Sequence, residues 1–414
     1  MDILQITKQL EKIFGNYELC RTQAGQIKRL RERLENDELT VAVIGQFKRG
    51  KTTLVNRMLG RELLPVGIVP ITAAVTRISY GGDEAEVIFE NGLRKKVRFS
   101  ELSAYISEQE NHDNERGVAS VEIHTKAGFL KGGTVLVDTP GAGSVHEKNS
   151  MSAYEFVRES DAVIFVLSVD SPMNQIEMDF LERVKKYAGK FYFCVNKKDI
   201  IDEKELEAYI SYCGSILEHI MGAAYAKIYP VSAKTGEGAD KLKADITGEL
   251  SEFSGSIIEE SVRLKLYEIL KNTRVQISSY RSVLNMAPNV FRKKFEEIGG
   301  ILLRLRRENE AMADGGRVPG VRLNEEKLML KKNVKDLFGI DYYYDMEYAG
   351  AEETIPAAVY KKQTAEFYDE LEDTLNSIFM YKEEDAYAVA RRIEDLNILM
   401  RNIEKYEKKV KDHE

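Results

Sequence analysis

Apolar residues recur along this chain with two different periods, and the changes between them divide it. Over residues 1–38, Leu10, Ile13, Tyr17, Cys20, Ala24 and Ile27 are spaced by three and four among Lys, Arg, Gln and Glu, the period of one helix face. An amphipathic helix that needs a partner is predicted there. From Leu39 the pattern becomes short apolar runs, TVAVI, TVLVD, AVIFVLS, FYFCVN and KIYPVS, separated by glycine and helix-like stretches. Parallel strands buried on both faces read this way. Between the first two runs, AEVIFENGLRKKVRF alternates around Asn91 and Gly92, a strong hairpin signal, so an antiparallel extension is expected at the edge of the sheet. The predicted fold class is α/β, an open, doubly wound, mostly parallel sheet.

Past about residue 255 the strand signals vanish. Leu266, Leu270, Thr273, Ile277, Tyr280 and Leu284, and later Val389, Ile393, Leu396, Met400 and Ile403, follow heptad-like spacing. A helix of about 30 residues is about 45 Å long, more than a compact cap requires, so an attached elongated α-helical bundle or short stalk is expected. Breaks at Asp314-Gly315-Gly316 and Val318-Pro319-Gly320 predict a turn between helices, and 348–356 a second irregular stretch. Three parts result: residues 1–38, a helix packing with the C-terminal bundle; residues 39–255, the α/β domain; and residues 256–414, the bundle.

The bulk numbers narrow the function classes. A chain of 414 residues with 43% hydrophobic and 31% charged residues buries a sizeable core. A net charge of −8 gives no reason to expect nucleic acid as a partner. Cys20, Cys194 and Cys213 cannot all pair and none sits in a CxxC, which fits a reducing cytosol. The start MDILQITKQLEKIF lacks the features of an export signal, and no 18-residue apolar window or lipidation motif occurs, so a cytoplasmic protein is expected. Phe291 to Lys335 carries 12 Lys+Arg against 7 Asp+Glu, including Arg304, Arg306 and Arg307. Such a surplus reads either as a solvated helix face or as a peripheral contact with anionic lipid, at about 1 kcal/mol per residue.

Four strings carry the chemistry. In VAVIGQFKRGKTTLVNRML, Gly45 to Thr52 satisfies GxxxxGK[ST] between a strand and a helix, a phosphate loop. By composition the string arises by chance in about one chain of this length in a hundred. The candidate GTP-binding set here is Gly45, Gln46, Phe47, Lys48, Arg49, Gly50, Lys51, Thr52 and Thr53. Its backbone N–H groups and the following helix face a β-phosphate, Lys51 bridges β- and γ-phosphates, and Thr52 ligates Mg²⁺. TVLVDTPG ends a buried strand with Asp138, placed for a Mg²⁺-bound water, and Gly141, whose N–H meets a γ-phosphate. Asn196, Lys197 and Asp199 follow FYFCVN, and Ser232, Ala233 and Lys234 follow KIYPV. Asp199 accepts from guanine N1–H and N2–H₂, Asn196 and the N–H near Ala233 meet N7 and O6, and Lys197 lays its stem along the base. Leaving such groups unpaired with the wrong base costs about 10⁴-fold. The set therefore selects GTP.

These strings resemble the GTPase domain of the dynamin superfamily, most closely of bacterial dynamin-like proteins. The similarity runs from Val41 to about Gly248 and includes GQFKRGKTTLVNRMLG, PVGIVPITAAVTRI and VLVDTPGAGS. The resemblance implies a Mg²⁺-dependent enzyme hydrolysing GTP to GDP and phosphate, and a homodimer through the GTPase domain. It makes Thr72 the switch threonine on Mg²⁺ and the γ-phosphate, a catalytic and metal ligand, whereas Thr76 reads as a strand position. Small GTPases orient the attacking water with a glutamine where this chain has Ala142, so another device is needed. The loop is similar to those of atlastins and guanylate-binding proteins, in which an arginine at the Lys48 position acts as an internal finger; Lys48 or its neighbour Arg49 is the candidate here. Eukaryotic dynamins have glutamine where this chain has Phe47. Three functions stay open: a mechanochemical dynamin-like GTPase, a non-membrane regulatory switch, and a nucleotide-binding scaffold.

Overall fold

The computed structural model describes residues 2–36, 38–46, 48–66, 75–107, 109–111, 114–139, 156–222, 227–313, 316–338, 354–382 and 386–411. It divides into two compact units, one of Met1–Lys8 with Gln26–Leu266, the other of Gln9–Gly25 with Tyr267–Glu414.

The first unit is built on one nine-stranded sheet. Its strands are β1 Leu39–Ile44, β2 Val75–Tyr80, β3 Glu84–Phe89, β4 Arg94–Val97, β5 Val118–Thr125, β6 Thr134–Asp138, β7 Ala162–Ser168, β8 Lys190–Asn196 and β9 Ile228–Pro230, in the order β4-β3-β5-β2-β6-β1-β7-β8-β9. From β6 to β9 every pairing is parallel, and these strands are the continuous apolar runs of the sequence. Every residue of β1, β6 and β7 is buried. One face of β1, β7 and β8 packs Ala42, Ile44, Phe165, Phe193 and Val195 against Leu181 and Val184 of helix Gln175–Val184 and Cys213 and Leu217 of helix Glu203–Met221. The fold is thus α/β with a doubly wound, mostly parallel sheet.

The hairpin lies where the alternation predicts it. β3 and β4 pair antiparallel, Ala85 opposite Val97 and Ile88 opposite Arg94, and Gly92 takes a left-handed φ of 81° at the turn. β4 is the edge strand. The sequence reading passed over β5, whose burial alternates along VASVEIHT and which therefore lacks the apolar run of its central neighbours. Thr76 is a buried position of β2, opposite Asp138 of β6.

At the other end of β7, the fully buried carboxylate of Asp161 gathers several elements of this unit. It pairs with Arg33 of helix Arg21–Asn36 and accepts from the Thr40 N–H at 2.9 Å and the Ser261 hydroxyl at 3.0 Å. Lys265 lies 3.7 Å from it and donates to the Ser160 carbonyl and Ser261 Oγ, both at 2.7 Å. Ser261 and Lys265 belong to helix Ala239–Leu284, which kinks at Phe253 (φ −123°, ψ 15°).

In the second unit the heptad positions Leu270, Thr273, Ile277, Tyr280 and Leu284 are buried, as are Leu396, Met400 and Ile403 of helix Ala386–Lys411. Gln23 donates to Gln276 at 3.0 Å, Tyr406 bonds Gln9, Arg274 pairs with Glu407 at 2.9 Å, and Arg281 donates to Asn397 at 3.1 Å. Helices Pro288–Glu310 and Ala357–Lys382 share a buried polar contact of Asn309 with Thr364 and Tyr368, and Glu326 of helix Gly320–Phe338 accepts from Tyr360.

Two expectations are corrected. Residues 1–38 do not form one helix: Ile3–Gly15 and Arg21–Asn36 are separated by a short 3₁₀ turn at Glu18–Cys20. Strand structure does not end at 255 either, because Arg317–Pro319 pairs antiparallel with Thr354–Pro356; three-residue strands carrying proline give no periodic signal. Residues 314–315 and 348–353 of the expected irregular stretches lie outside the described residues. Of the basic stretch, Arg306 is held by Asp369 at 2.7 Å and Glu372 at 2.9 Å. Among the described residues no helix is long and apolar enough to cross a membrane.

Burial lowers the Lys265 ammonium to about 7, against the attraction of Asp161. The folded chain therefore binds fewer protons at this residue than the unfolded chain between about pH 7 and 10.5, and stability rises with pH across that window. Urea midpoints measured across it should climb less steeply in Lys265→Met than in the native protein; parallel profiles would contradict the lowered proton affinity of Lys265.

Candidate functional site

The site lies at the carboxyl ends of β1, β6 and β8 and in the loop after β9. Gly45 leaves β1 beside β7 so closely that a Cβ on it would sit 2.3 Å from the Val166 carbonyl oxygen. Gly50 starts helix Lys51–Leu59 with φ 87°, and a Cβ there would lie 2.3 Å from Asn196 Nδ2. Only glycine meets both demands. The helix carries Lys51, Thr52 and Thr53 in its first turn, where its N–H groups have no intrahelical partners.

Lys51 is buried and donates to the carbonyls of Gly45 at 3.0 Å and Gln46 at 3.2 Å. Burial lowers its ammonium to about 8, with Asp138 and Glu177 acting in the opposite direction. Asp138 is raised by burial to about 6, opposed by Lys51 and by the hydrogen bond from Thr52. Thr52 Oγ1 lies 2.9 Å from Asp138 Oδ2, and Asp138 Oδ1 is buried without a hydrogen-bond partner. A hydroxyl and a carboxylate with an orphaned oxygen fit a hard divalent cation. Thr72, Gly141, Ala142 and Phe47 lie outside the described residues.

The base-recognition strings are tied to the phosphate loop. Asn196 Nδ2 donates to the Arg49 carbonyl at 2.9 Å, and Asn196 Oδ1 accepts from the Ala233 N–H at 2.9 Å. In this structure Asn196 and the Ala233 N–H bond each other and fix the two loops together. Lys197 has a left-handed φ of 63°, and its ammonium meets Asp170 at 2.6 Å. Asp199 sits exposed in the turn Lys198–Ile200. Buried Ser232 shapes its loop by accepting from the Thr235 N–H at 3.1 Å, while the Lys234 carbonyl accepts from Arg57 at 2.9 Å.

Of the two candidate finger cations, the structure separates one from the site. Arg49 is 3% exposed, and its guanidinium bonds Glu177 at 2.9 and 2.7 Å and the carbonyls of Ser168, Ser171 and Pro172. It points into the protein, so the assignment of Arg49 as a phosphoryl finger is corrected. Lys48 is exposed with a left-handed φ of 65°. Sequence reasoning missed Asp170, Asn174, Glu177 and Arg57. The spacing Asn174-x-x-Glu177 is a capping-box signature at a helix start, and nothing in it indicates that the same carboxylate receives Arg49.

Fold and site together define a P-loop nucleotide-binding domain with guanine-recognition motifs. Residues 41–199 match the model of the dynamin family. A protein of Caldicellulosiruptor sp. (strain Rt8B.4), described as an uncharacterised protein in the xynA 3′ region, is 40% identical over 235 residues, 56% of this chain and 58% of that one. Dynamin-like protein 2 of Campylobacter jejuni is 25% identical over 390 residues, 88% of this chain and 61% of that one. An oligomerised bacterial dynamin pair, described in connection with long-range sensing and tethering of membranes, is matched over 98% of this chain and 80% of that one, at 18% identity and a TM-score of 0.44. The chain spans about three-fifths of the length of these two relatives. The likeness to the dynamin family is carried by residues 41–199.

A magnesium nucleotide in this site would need Asp138 ionised and Lys51 protonated. With the two groups at about 6 and about 8 before binding, affinity for Mg·GDP should be greatest between these values. Binding should release a proton from Asp138 on the acid side and take one up at Lys51 on the alkaline side. Calorimetry in buffers of different ionisation enthalpy reads both. Asp138→Asn should lose the acid limb, and a native affinity that is flat across pH would refute the assignment.

Proposed function

We propose that the chain is a Mg²⁺-dependent enzyme that hydrolyses GTP to GDP and phosphate, activated when two GTPase domains pair across their nucleotide faces. The unit of Met1–Lys8 and Gln26–Leu266, rather than 39–255 alone, is taken as the catalytic domain, and that of Gln9–Gly25 with Tyr267–Glu414, rather than 1–38 with 256–414, as its bundle. The observation that carries the reading is the Asn196 bridge, because it joins the phosphate loop at Arg49 to the base-recognition loop at Ala233 through one buried side chain. A site built this way measures base and phosphates together.

In the reaction, water attacks the γ-phosphorus as the bond to the β,γ-bridging oxygen breaks. Lys51 neutralises charge on the β- and γ-oxygens from a desolvated position, where a cation acts more strongly than in water. Thr52, Thr72 and Asp138 would hold Mg²⁺, which would supply charge neutralisation on the phosphates. Gly141 donates its N–H to the γ-phosphate. With Ala142 unable to orient the water, pairing of two domains brings Lys48 onto the transferring phosphoryl group. A peripheral contact of the basic stretch 291–335 with anionic lipid is part of the proposal; Leu303 and Leu328 are exposed along it.

Guanine selection rests on Asp199, whose carboxylate accepts from N1–H and the 2-amino group together. Asp199→Asn should shift preference from GTP toward xanthosine triphosphate, and equal native affinity for ATP and GTP by calorimetry would defeat the assignment.

Specific activity should rise with protein concentration, with a dimer visible by light scattering in a transition-state mimic. Cationic fingers in GTPases contribute about 10³ to 10⁵ in rate, so Lys48→Ala should lose much of the turnover while still binding GTP. A constant specific activity from a monomer, unaffected by this substitution, would overturn the paired-domain mechanism. Sedimentation with anionic and neutral liposomes in the same series tests the lipid contact, which fails if the anionic vesicles bring down no more protein than the neutral ones.

A further inference from the structure

We propose that Glu177 is a positioning residue for the phosphate loop: by pinning the buried Arg49, it holds the adjacent Lys48 in a left-handed backbone conformation with that residue at the surface. This rests on the reading of Lys48 as the cation that meets the phosphoryl group.

A non-glycine residue at φ 65° carries a steric cost and persists where its surroundings over-determine it. Both sides of Lys48 are so determined. On one side the Gln46 and Asn174 amides exchange hydrogen bonds of 3.2 and 2.9 Å. On the other, Arg49 spends its guanidinium on Glu177, Ser168, Ser171 and Pro172, and its N–H reaches the Gln46 carbonyl at 3.4 Å. The two anchors are one object, since Asn174 and Glu177 cap the same helix through reciprocal bonds of 3.1 and 3.2 Å. Tyr209 braces it by donating to the Ser168 and Ser171 carbonyls, both at 2.9 Å. Lysine in place of Arg49 lacks the planar fork that reaches these acceptors at once.

The test compares Lys48→Ala, Glu177→Gln and the double variant Arg49→Met/Glu177→Met in the full chain, by turnover, GDP affinity and thermal midpoint. Glu177→Gln should lose roughly ten- to a hundredfold in turnover, the range expected when a catalytic group is misplaced by about 1 Å, while GDP affinity changes by less than about threefold. Replacing a buried ion pair by an apolar pair is often neutral or stabilising, so the double variant should keep its thermal midpoint and remain slow. Native turnover in the double variant would reduce Glu177 to a structural role and overturn the proposal. If Lys48→Ala is slow while Glu177→Gln is not, the positioning role alone fails. A fast Lys48→Ala removes the reading of Lys48 on which the proposal stands.

Discussion

The nucleotide site depends on how closely the phosphate loop lies against the end of β7. Gly45 approaches the Val166 carbonyl, and two residues further along β7 Ser168 accepts Arg49 through both its carbonyl and its hydroxyl. A strand carbonyl cannot move without dragging its ladder, and both residues lie on the stretch of β7 paired with β8, so the loop inherits the rigidity of that pairing. That rigidity serves catalysis by preorganisation, in which dipoles and charges are fixed before the reacting group arrives.

Buried charges in this unit divide by how they are compensated. Arg49 and Glu177 satisfy one another, and each has further hydrogen bonds from its surroundings. Asp161 is likewise saturated, by Arg33, the Thr40 N–H and Ser261. Lys51 and Asp138 differ: burial pushes both toward their neutral forms, and one oxygen of Asp138 has no partner. Desolvated charges left short of partners cost stability, and a polyanion with its cation relieves that cost at both residues.

Legibility from sequence followed the range of the interactions. The central strands could be read because burial on both faces leaves a continuous apolar run, and the β3–β4 hairpin because Asn91 and Gly92 set a local turn. β5 escaped because a strand with alternating burial contributes half as many apolar positions to any window. The phosphate loop was visible as a string because its chemistry is local. By contrast, Arg49 read as a second loop cation, since nothing between 45 and 52 reveals a carboxylate 128 residues later in the chain. The Asn196–Ala233 bond was hidden for the same reason.

Adjacent loop cations with opposite fates have a simple physical basis. A lysine at the surface carries about 2 kcal/mol of rotamer entropy and is strongly hydrated, so it meets a phosphoryl group effectively only if its backbone is already fixed. Arginine suits the buried position, because a weakly hydrated planar fork satisfies many acceptors with less entropy lost per bond. Exchanging the two would bury a compact ammonium before six spread acceptor atoms and expose a fork with nothing held to receive it. The order Lys48-Arg49 therefore carries information that their shared charge does not, with the first residue presented and the second anchoring the loop that presents it.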